Sequence, residues 1–351
     1  MERIQLKNVT TIVNGSTPST ADSENWDGDI AWITPKDLSN FHQRFICRGE
    51  RNITKTGYDS CSTTLVPKGT VLLTSRAPIG YLAIANNSLC TNQGFKSLIC
   101  DEERLLPSYL YYWLSTKVEY LKSISDGATF KELSKSTLGN VGIDLPDIET
   151  QQHIVGTIGT IDDLIENIEK RVAVISEYLS LSISKTSIIE WNDLEKVADI
   201  KYGVGMKAAE LTNDYPYKVY GGNGIIGTLP SYTHEDQRII ISCRGAGCGN
   251  VYLTLPKSTV TSNSLWLKLK QTNQLLALYV FLKNSDLSSF ITGSAQPQIT
   301  IDNIKKLKVP LFNDNSLFVR GSKYWMKHLV LLEQQKQKLL SVKTTLLKKY
   351  F

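Results

Sequence analysis

The clearest hydrophobic pattern lies near the middle of the chain. There, apolar residues recur at alternating spacings of four and three: Ile154, Ile158, Ile161, Ile165, Ile168, Val172, Ile175 and Leu179. An average spacing of 3.5 residues is typical of a helix that packs along a seam against another helix. Glu149 would lie in the first turn, where the helix dipole favours an acidic side chain. The pattern predicts a rod of about 39 Å, since about 26 residues rise roughly 1.5 Å each.

A second pattern of the same kind lies at the C-terminal end. Its positions are Trp325, Leu329, Leu332, Lys336, Leu339, Lys343, Leu346 and Tyr350, so two lysines interrupt the seam. Residues 149–190 carry 7 acidic and 3 basic side chains, and residues 320–351 carry 1 acidic and 8 basic. Opposite charge favours pairing of these two helices over self-pairing. The alternative is two separate amphipathic helices, each covering the core of its own domain.

The rest of the chain reads as one mixed domain that occurs twice. In the first copy we expect strands at residues 71–74, 81–85, 95–100 and 141–145 and a helix at 108–123. In the second copy, strand and turn patterns at 197–203, 239–249 and 307–311 and a helix at 274–282 follow in the same order. From Gly127 and Gly293 onward the offset is constant at 166 residues. This indicates a tandem duplication. The alternative is a chance similarity of two unrelated domains.

The predicted fold class is therefore α+β, with two repeated domains joined by two long antiparallel coiled-coil helices. We expect the first domain at residues 1–146, the central helix at 147–190, the second domain at 191–314 and the C-terminal helix at 315–351. A chain of 351 residues, 41% hydrophobic and 21% charged, is long enough for two cores. The net charge of +5 is compatible with a polyanionic partner without requiring one.

The sequence offers little sign of catalysis or export. The six cysteines form no C-x-x-C pair, so we expect reduced thiols and no metal site. No signal-peptide core and no apolar run long enough for a bilayer is present, so we expect a cytoplasmic protein without a membrane partner. There is no Glu-x-Lys nuclease motif, no phosphate-binding loop and no loop for a flipped base. Residues 222–227 match Gly-x-Gly-x-x-Gly, but no helix follows, which favours a glycine-rich turn.

Three motifs carry a family resemblance: GDIAWITPKDL at residues 28–38, LLTSRAPIG at 72–80, and LPDIETQQHI at 145–154 followed by IDDLI at 161–165. Their order resembles the specificity subunits of type I restriction–modification systems over essentially the whole chain. The second half departs from the pattern, since residues 205–211 lack the WITPKD motif and the distal helix lacks the paired glutamines.

This resemblance implies a non-catalytic subunit without cofactors, whose two domains each read one half of a split site in double-stranded DNA. The two helices would set the spacing of the half-sites. They would also dock methyltransferase subunits, expected to be two, and restriction subunits could join the complex. Two rival hypotheses stay open: a stand-alone nucleic-acid enzyme with an unrecognised active site, and a coiled-coil scaffold that binds only proteins.

Candidate DNA contacts follow from the donors that duplex recognition requires: Arg or Lys for guanine, Asn or Gln for adenine, and small polar groups for phosphates. Arg76 and Arg244 occupy matched turns of the two copies. The alternative is that each arginine only braces its own turn. The predicted first-domain contacts are Lys36, Ser75, Arg76, Asn92, Gln93, Lys96, Thr129 and Lys131. Those of the second domain are Tyr220, Asn223, Arg244, Ser262, Asn263, Gln296 and Gln298. For most of these a solvated loop residue is the alternative.

Overall fold

The computed structural model describes residues 2–39, 41, 43–127, 131–212, 215–245, 247–293 and 296–351. The chain divides into two compact units. The first consists of residues 1–167 and 337–351, and the second of residues 168–336. Each unit therefore contains part of both long helices predicted from the sequence.

The first unit is built on three sheets. Its strands are β1 Glu2–Gln5, β2 Thr10–Asn14, β3 Trp26–Ile33, β4 Phe45–Ile46, β5 Arg51–Ile53, β6 Val71–Ser75, β7 Ile79–Ala85, β8 Cys90–Thr91, β9 Phe95–Cys100 and β10 Gly142–Leu145. They form a five-stranded sheet in the order β2-β9-β6-β7-β4, a three-stranded sheet β5-β3-β8 and the pair β1-β10. All five residues of β6 are buried, as expected for a central strand covered on both faces.

The short α-helices in the described part of the first unit are α1 Pro35–Leu38, α2 Lys55–Asp59, α3 Pro107–Thr116, α4 Val118–Ser123 and α5 Lys135–Gly139. The aromatic-rich α3 packs Tyr109, Leu110 and Tyr112 into the main core beside β6 and β9. The sequence predicted one helix over residues 108–123, and this was wrong. The hydroxyls of Ser115 and Thr116 donate to the carbonyls of Tyr112 and Trp113. Such bonds compete with the helical backbone, and the helix breaks at Lys117.

The second unit repeats this plan in reduced form. Its strands are β11 Ile188–Asp193, β12 Ala198–Tyr202, β13 Tyr217–Gly221, β14 Gly224–Leu229, β15 Ile239–Ser242, β16 Val251–Leu253, β17 Thr259–Val260, β18 Ser264–Leu269 and β19 Lys308–Phe312. The sheets are β12-β18-β15-β16, β14-β13-β17 and β11-β19. The short helices are α7 Leu194–Val197, α8 Leu275–Lys283 and α9 Ile301–Ile304. The glycine-rich segment begins with the turn of the β13–β14 hairpin at residues 222–223 and continues into β14; the prediction of a turn without a following helix is confirmed.

Two long helices, α6 Ile148–Ser184 and α10 Leu317–Tyr350, account for both heptad patterns. In the first unit, Ile154 and Ile158 share a core with Leu346 and Tyr350 near the end of α10. In the second unit, the late α6 residues Leu179 and Ile183 share a core with Trp325 and Leu329, near the start of α10. The helices therefore run antiparallel within each unit, and the predicted fold class is confirmed.

All the predicted seam residues are buried or half-buried. Ile154, Ile158, Ile165, Ile168, Leu179 and Leu332 are buried, and Ile161, Val172, Ile175, Leu329, Leu339 and Leu346 are half-buried. The two lysines that interrupt the C-terminal pattern have acidic partners on α6. Lys343 Nζ lies 2.6 Å from Asp162 Oδ1 in the first unit, and Lys336 Nζ lies 2.6 Å from Glu169 Oε1 in the second. The seam thus mixes apolar packing with ion pairs between the helices.

A buried glutamine fastens the strand that precedes each long helix. In the first unit, the Gln151 amide of α6 donates to the carbonyls of Pro146 and Arg104 and accepts a hydrogen bond from the Leu106 amide, all at 2.8–2.9 Å. In the second unit, Gln274, just before α8, donates to the carbonyl of Phe312 at 2.9 Å. Pro146 and Phe312 occupy equivalent positions. The long helix of the second unit therefore has no glutamine at the position of Gln151. The equivalent hydrogen bond to the strand end is donated instead by Gln274, which lies just before α8.

We expect Gln151→Ala and Gln274→Ala each to destabilise the unit that contains it by about 3 kcal/mol, because each leaves buried backbone groups without partners. Gln152→Ala is the matched control: its side chain is exposed, and it should change stability by less than about 0.5 kcal/mol. Chemical denaturation of the three variants measures the effect. Equal stability of Gln151→Ala and Gln152→Ala would contradict this role of the buried amide.

Candidate nucleic-acid interface

The turn that carries Arg76 is held by a second hairpin of the first unit. β6 ends at Ser75, and the backbone of Arg76 pairs with that of Glu132. The Leu133 amide donates to the Ser75 carbonyl at 2.9 Å. Glu132 in turn exchanges two backbone hydrogen bonds with Asp126, at 2.9 and 3.1 Å, and so closes the loop that contains Gly127. Arg76 is thereby presented at the end of a buried strand, on a braced backbone.

Two further loops adjoin this turn. The Ser75 amide donates to the Gly94 carbonyl at 2.7 Å, which brings the 92–94 turn beside Arg76. A side chain at Gly94 would come within 2.8 Å of Pro35, so the start of α1, which carries Lys36, lies directly against the same turn. We call this the Arg76 surface. It consists of Lys36, Arg76, Asn92, Gln93 and Glu132.

The second unit builds an equivalent surface around Arg244. The backbone of Arg244 pairs with that of Gln298, and the Ile299 amide donates to the Cys243 carbonyl at 3.0 Å. Gln298 exchanges two backbone bonds of 2.9 Å with Thr292, which closes the loop that contains Gly293. The Cys243 amide donates to the Asn263 carbonyl at 2.9 Å. The hydrogen bonds that brace the Arg76 turn thus recur here one by one.

The turn of the β13–β14 hairpin completes this second surface. A side chain at Gly222 would come within 3.4 Å of the Arg244 carbonyl, which places the exposed Asn223 beside the arginine turn. We call this the Arg244 surface. It consists of Asn223, Arg244, Ser262, Asn263 and Gln298. The structure therefore brings together most of the residues that the sequence predicted for each domain.

The two surfaces differ in charge. On the Arg76 surface, Glu132 lies 3.8 Å from the Arg76 guanidinium and 3.6 Å from the Lys96 ammonium. On the Arg244 surface, the position of Glu132 is taken by the neutral Gln298. Arg244 is exposed, and among the described residues it has no acidic partner within ion-pair distance. The second arginine is therefore freer to take an external partner.

Three of the predicted contact residues are corrected by the structure. Ser75 is 0% exposed and donates its hydroxyl to the Gly94 carbonyl, so it belongs to the core of the turn. The Lys96 side chain is 7% exposed, and burial lowers its pKa while the attraction of Glu132 opposes this. Tyr220 is 4% exposed, its hydroxyl accepts from the Leu255 amide, and burial raises its pKa. The polar groups of all three residues lie inside the protein, because the parts of β6, β9 and β13 that carry them are covered on both faces.

The remaining predicted residues that the structure describes lie at or near the surface, Lys36 in α1 and the others on loops. Lys36 is exposed and paired with Glu50 at 2.7 Å, and Lys131 donates to the carbonyl of Lys122 at 3.1 Å. Gln93, Asn223, Asn263 and Gln296 are exposed, and Asn92, Ser262 and Gln298 are half-buried. Thr129 lies outside the described residues. Whether these side chains contact DNA stays a prediction.

Glu132 was missed by the sequence reasoning. An acidic residue is a poor candidate for a DNA contact, so the search for basic and amide side chains passed over it. The repeat contained a usable signal, because Glu132 and Gln298 stand at the same offset as Gly127 and Gly293. A comparison of the two copies position by position would have identified it as a charge difference between otherwise equivalent turns.

We expect Arg76→Ala and Arg244→Ala each to weaken specific DNA binding by roughly 1–3 kcal/mol, the value of one bidentate contact between arginine and guanine. Binding measured with a duplex that contains the recognised site tests this. Arg320→Ala, at an exposed arginine in the first turns of α10, is the matched control. Reduced thermal stability with unchanged affinity of the folded protein would instead support arginines that only brace their turns.

Among the described residues, no group of three or more His, Cys, Asp or Glu side chains is placed to hold a metal ion. In that same part of the chain, no helix is both long and apolar enough to cross a bilayer.

The comparisons with known proteins agree with the repeated architecture. A crystal structure of a type I restriction–modification system S subunit from M. genitalium covers 100% of this chain and 96% of its own, with a TM-score of 0.56 and 17% sequence identity. At that identity the likeness shows the fold alone.

Relatives with similar sequences include two type I specificity subunits. The MjaIX specificity subunit of a type I restriction enzyme from Methanocaldococcus jannaschii is 49% identical over 189 residues, covering 53% of this chain and 43% of that relative. The EcoprrI specificity subunit from Escherichia coli is 21% identical over 341 residues, covering 88% and 83%. The first match thus spans less than half the length of its relative. Residues 1–177 and 189–314 both match the family described as type I restriction modification DNA specificity domain. With two copies of that domain over most of its length, the chain belongs to this family.

Proposed function

We propose that this protein is the non-catalytic DNA specificity subunit of a type I restriction–modification complex. Each unit would read one half of a split site in double-stranded DNA. The observation that carries this proposal is the pair of matched surfaces around Arg76 and Arg244, each braced by the same backbone hydrogen bonds on a repeated scaffold. Family membership and the two domain matches support it independently.

The proposal extends to domain limits and partners. The recognition domains would comprise residues 1–146 and 191–314, with spacer helices at 147–190 and 315–351. The helices would set the distance between the half-sites and dock two methyltransferase subunits, and restriction subunits could join the assembly. The site of action would be the cytoplasm. The net charge of +5 supports a polyanionic partner, and the ion pairs between α6 and α10 within each unit support pairing of the two helices.

Replacement of the first domain tests this function. We expect that exchanging residues 1–146 for the equivalent domain of another specificity subunit will change one half of the methylated motif and leave the other half intact. The measurement is methylation mapping in cells that express the chimaera together with the methyltransferase subunits. The unaltered chain, mapped in the same cells, is the control and should give a split motif.

Other outcomes would favour the rival functions. Changes in both halves of the motif would contradict independent recognition domains. Methyl transfer or cleavage by the isolated chain would favour a stand-alone enzyme. Absence of DNA binding by the complete complex would favour a scaffold that binds only proteins.

A further inference from the structure

Glu132 lies next to Arg76 on the Arg76 surface, with 3.8 Å between its carboxylate and the guanidinium. Its backbone pairs with Asp126 through two hydrogen bonds and with Arg76 through a bridge, and the next residue, Leu133, donates to Ser75. Little freedom remains in this backbone. The Cα atom of Glu132 is therefore held at a defined place beside Arg76.

The buried Lys96 forms an ion pair with this carboxylate. Lys96 Nζ lies 3.6 Å from Glu132 Oε1 and 3.4 Å from the Ser75 hydroxyl. The Lys96 side chain is almost fully buried, whereas those of Glu132 and Arg76 are 47% and 40% exposed. A buried ammonium requires a counter-charge, so Glu132 cannot turn away from Lys96 without leaving that charge uncompensated. The chain of charges runs from the core, through Glu132, to Arg76 at the surface.

The second unit keeps the arginine, as Arg244, but has neutral residues in place of both Lys96 and Glu132. Lys96 pairs with Leu73 in the sheet, two residues before Ser75, and its equivalent, Leu265, pairs with Ile241, two residues before Cys243. A fully buried leucine thus stands in place of the lysine. Gln298 replaces Glu132. The repeat therefore supplies a natural comparison, because the same backbone carries a charged version in the first unit and a neutral version in the second.

A carboxylate on a DNA-facing surface has two physical consequences. It repels the phosphates that would otherwise attract Arg76, since exposed like charges raise the free energy of approach. It also restrains the guanidinium, and a restrained planar fork loses less entropy when it forms two parallel bonds with a base edge. Both effects favour sequence-specific contacts over attachment to the backbone of any duplex.

We propose that Glu132, held by Lys96, is a positioning residue that directs Arg76 towards a base and weakens its attachment to phosphates. The first unit then discriminates by restraint of its arginine, whereas the second leaves Arg244 without an acidic partner among the described residues. This inference rests on the proposed function.

The test uses the full chain in complex with its methyltransferase subunits. Binding is measured at several salt concentrations for three duplexes: the mapped split site, the site with its first half altered, and the site with its second half altered. For Glu132→Gln we expect discrimination against the altered first half to fall roughly fivefold, the low end for one bidentate contact. The salt dependence of binding should steepen by about 0.9, the value for one additional phosphate contact. Discrimination against the altered second half should not change.

A double variant separates the proposed role of Glu132 from a loss of folding. Glu132→Gln alone leaves Lys96 without its acidic partner. The combination Lys96→Leu with Glu132→Gln instead installs the neutral pair that the second unit already accommodates. It should give the same loss of first-half discrimination. Gln298→Ala, the matched control in the second unit, should leave first-half discrimination intact. A structural role alone would reduce stability without separating the two halves of the site.

The possible outcomes are distinct. If the folded variants keep the first-half discrimination and the salt dependence of the unaltered complex, the positioning role of Glu132 is wrong and the proposed function stands. If the unaltered complex itself does not distinguish its mapped site from unrelated DNA, the proposed function is wrong, and this inference fails with it.

Discussion

A seven-residue insertion into each long helix is expected to lengthen the gap between the two recognised half-sites by about three base pairs. Seven residues add roughly 10 Å of helix, and base pairs in DNA are spaced by about 3.4 Å. The insertion in α6 belongs between Ile168 and Val172. The ion pair between Glu169 and Lys336 identifies the matching level of α10. This prediction assumes that the helices extend along the DNA axis, as a spacer would.

Methylation mapping of the altered complex measures the gap directly. Seven residues preserve the hydrophobic seam, because two turns of a coiled coil span seven positions. A four-residue insertion into each helix is the control. It rotates the seam out of register and should damage folding. An active seven-residue variant with an unchanged gap would show that the helices are a docking surface and do not set the spacing.

The second large effect is expected from Asp162→Ala, which should destabilise the first unit by about 3 kcal/mol. The Asp162 side chain is 6% exposed and meets three partners: Lys343 Nζ at 2.6 Å, the Tyr112 hydroxyl at 2.7 Å and Arg44 Nε at 3.8 Å. Removal of one member of a buried charged network leaves the other charges uncompensated, which typically costs 3–5 kcal/mol. Arg44 keeps Glu166 at 3.2 Å and Asp163, so the lower end applies.

Hydrogen exchange of the core strands β6 and β9 under increasing urea measures this loss within the first unit. Asp163→Ala is the matched control within the first unit, because the Asp163 side chain also pairs with Arg44 but is 69% exposed. Such a pair is worth less than about 1 kcal/mol. Equal effects of the two substitutions would mean that Asp162 acts as an ordinary helix-surface charge. We expect Asp162→Ala to cause the larger loss of stability, because Asp162 belongs to the buried network.

The structure also explains why the heptad pattern of α10 was imperfect. Lys336 and Lys343 interrupt an otherwise apolar seam, and this interruption kept open the alternative of two separate amphipathic helices. Each lysine instead lies half-buried against a carboxylate of α6. The opposite net charges of the two segments indicated that the helices pair. Which acidic residue meets which lysine follows only from the antiparallel register.

Local and periodic properties were available from the sequence alone. The 3.5-residue spacing from Ile154 to Leu179, the constant offset between the two copies, and the β-strand over residues 95–100 are properties of neighbouring positions. They can be predicted from the sequence because each kind of secondary structure imposes a fixed period on side-chain direction. The matched turns of Arg76 and Arg244 followed from the same repeat. The sequence alone therefore determined the fold class and the matched turns of the two arginines.

Burial of single polar side chains was decided only by tertiary structure. Ser75 and Lys96 have the polar character of contact residues, yet the five-stranded sheet turns both inward, and the hydroxyl of Tyr220 finds a backbone amide in the core. Glu132 gained its place because a loop more than fifty residues along the chain pairs with the Arg76 turn. Such contacts depend on the pairing of distant strands and hairpins. The local pattern of one segment does not show which distant residue will contact it, so only the tertiary structure shows which charged side chains pair.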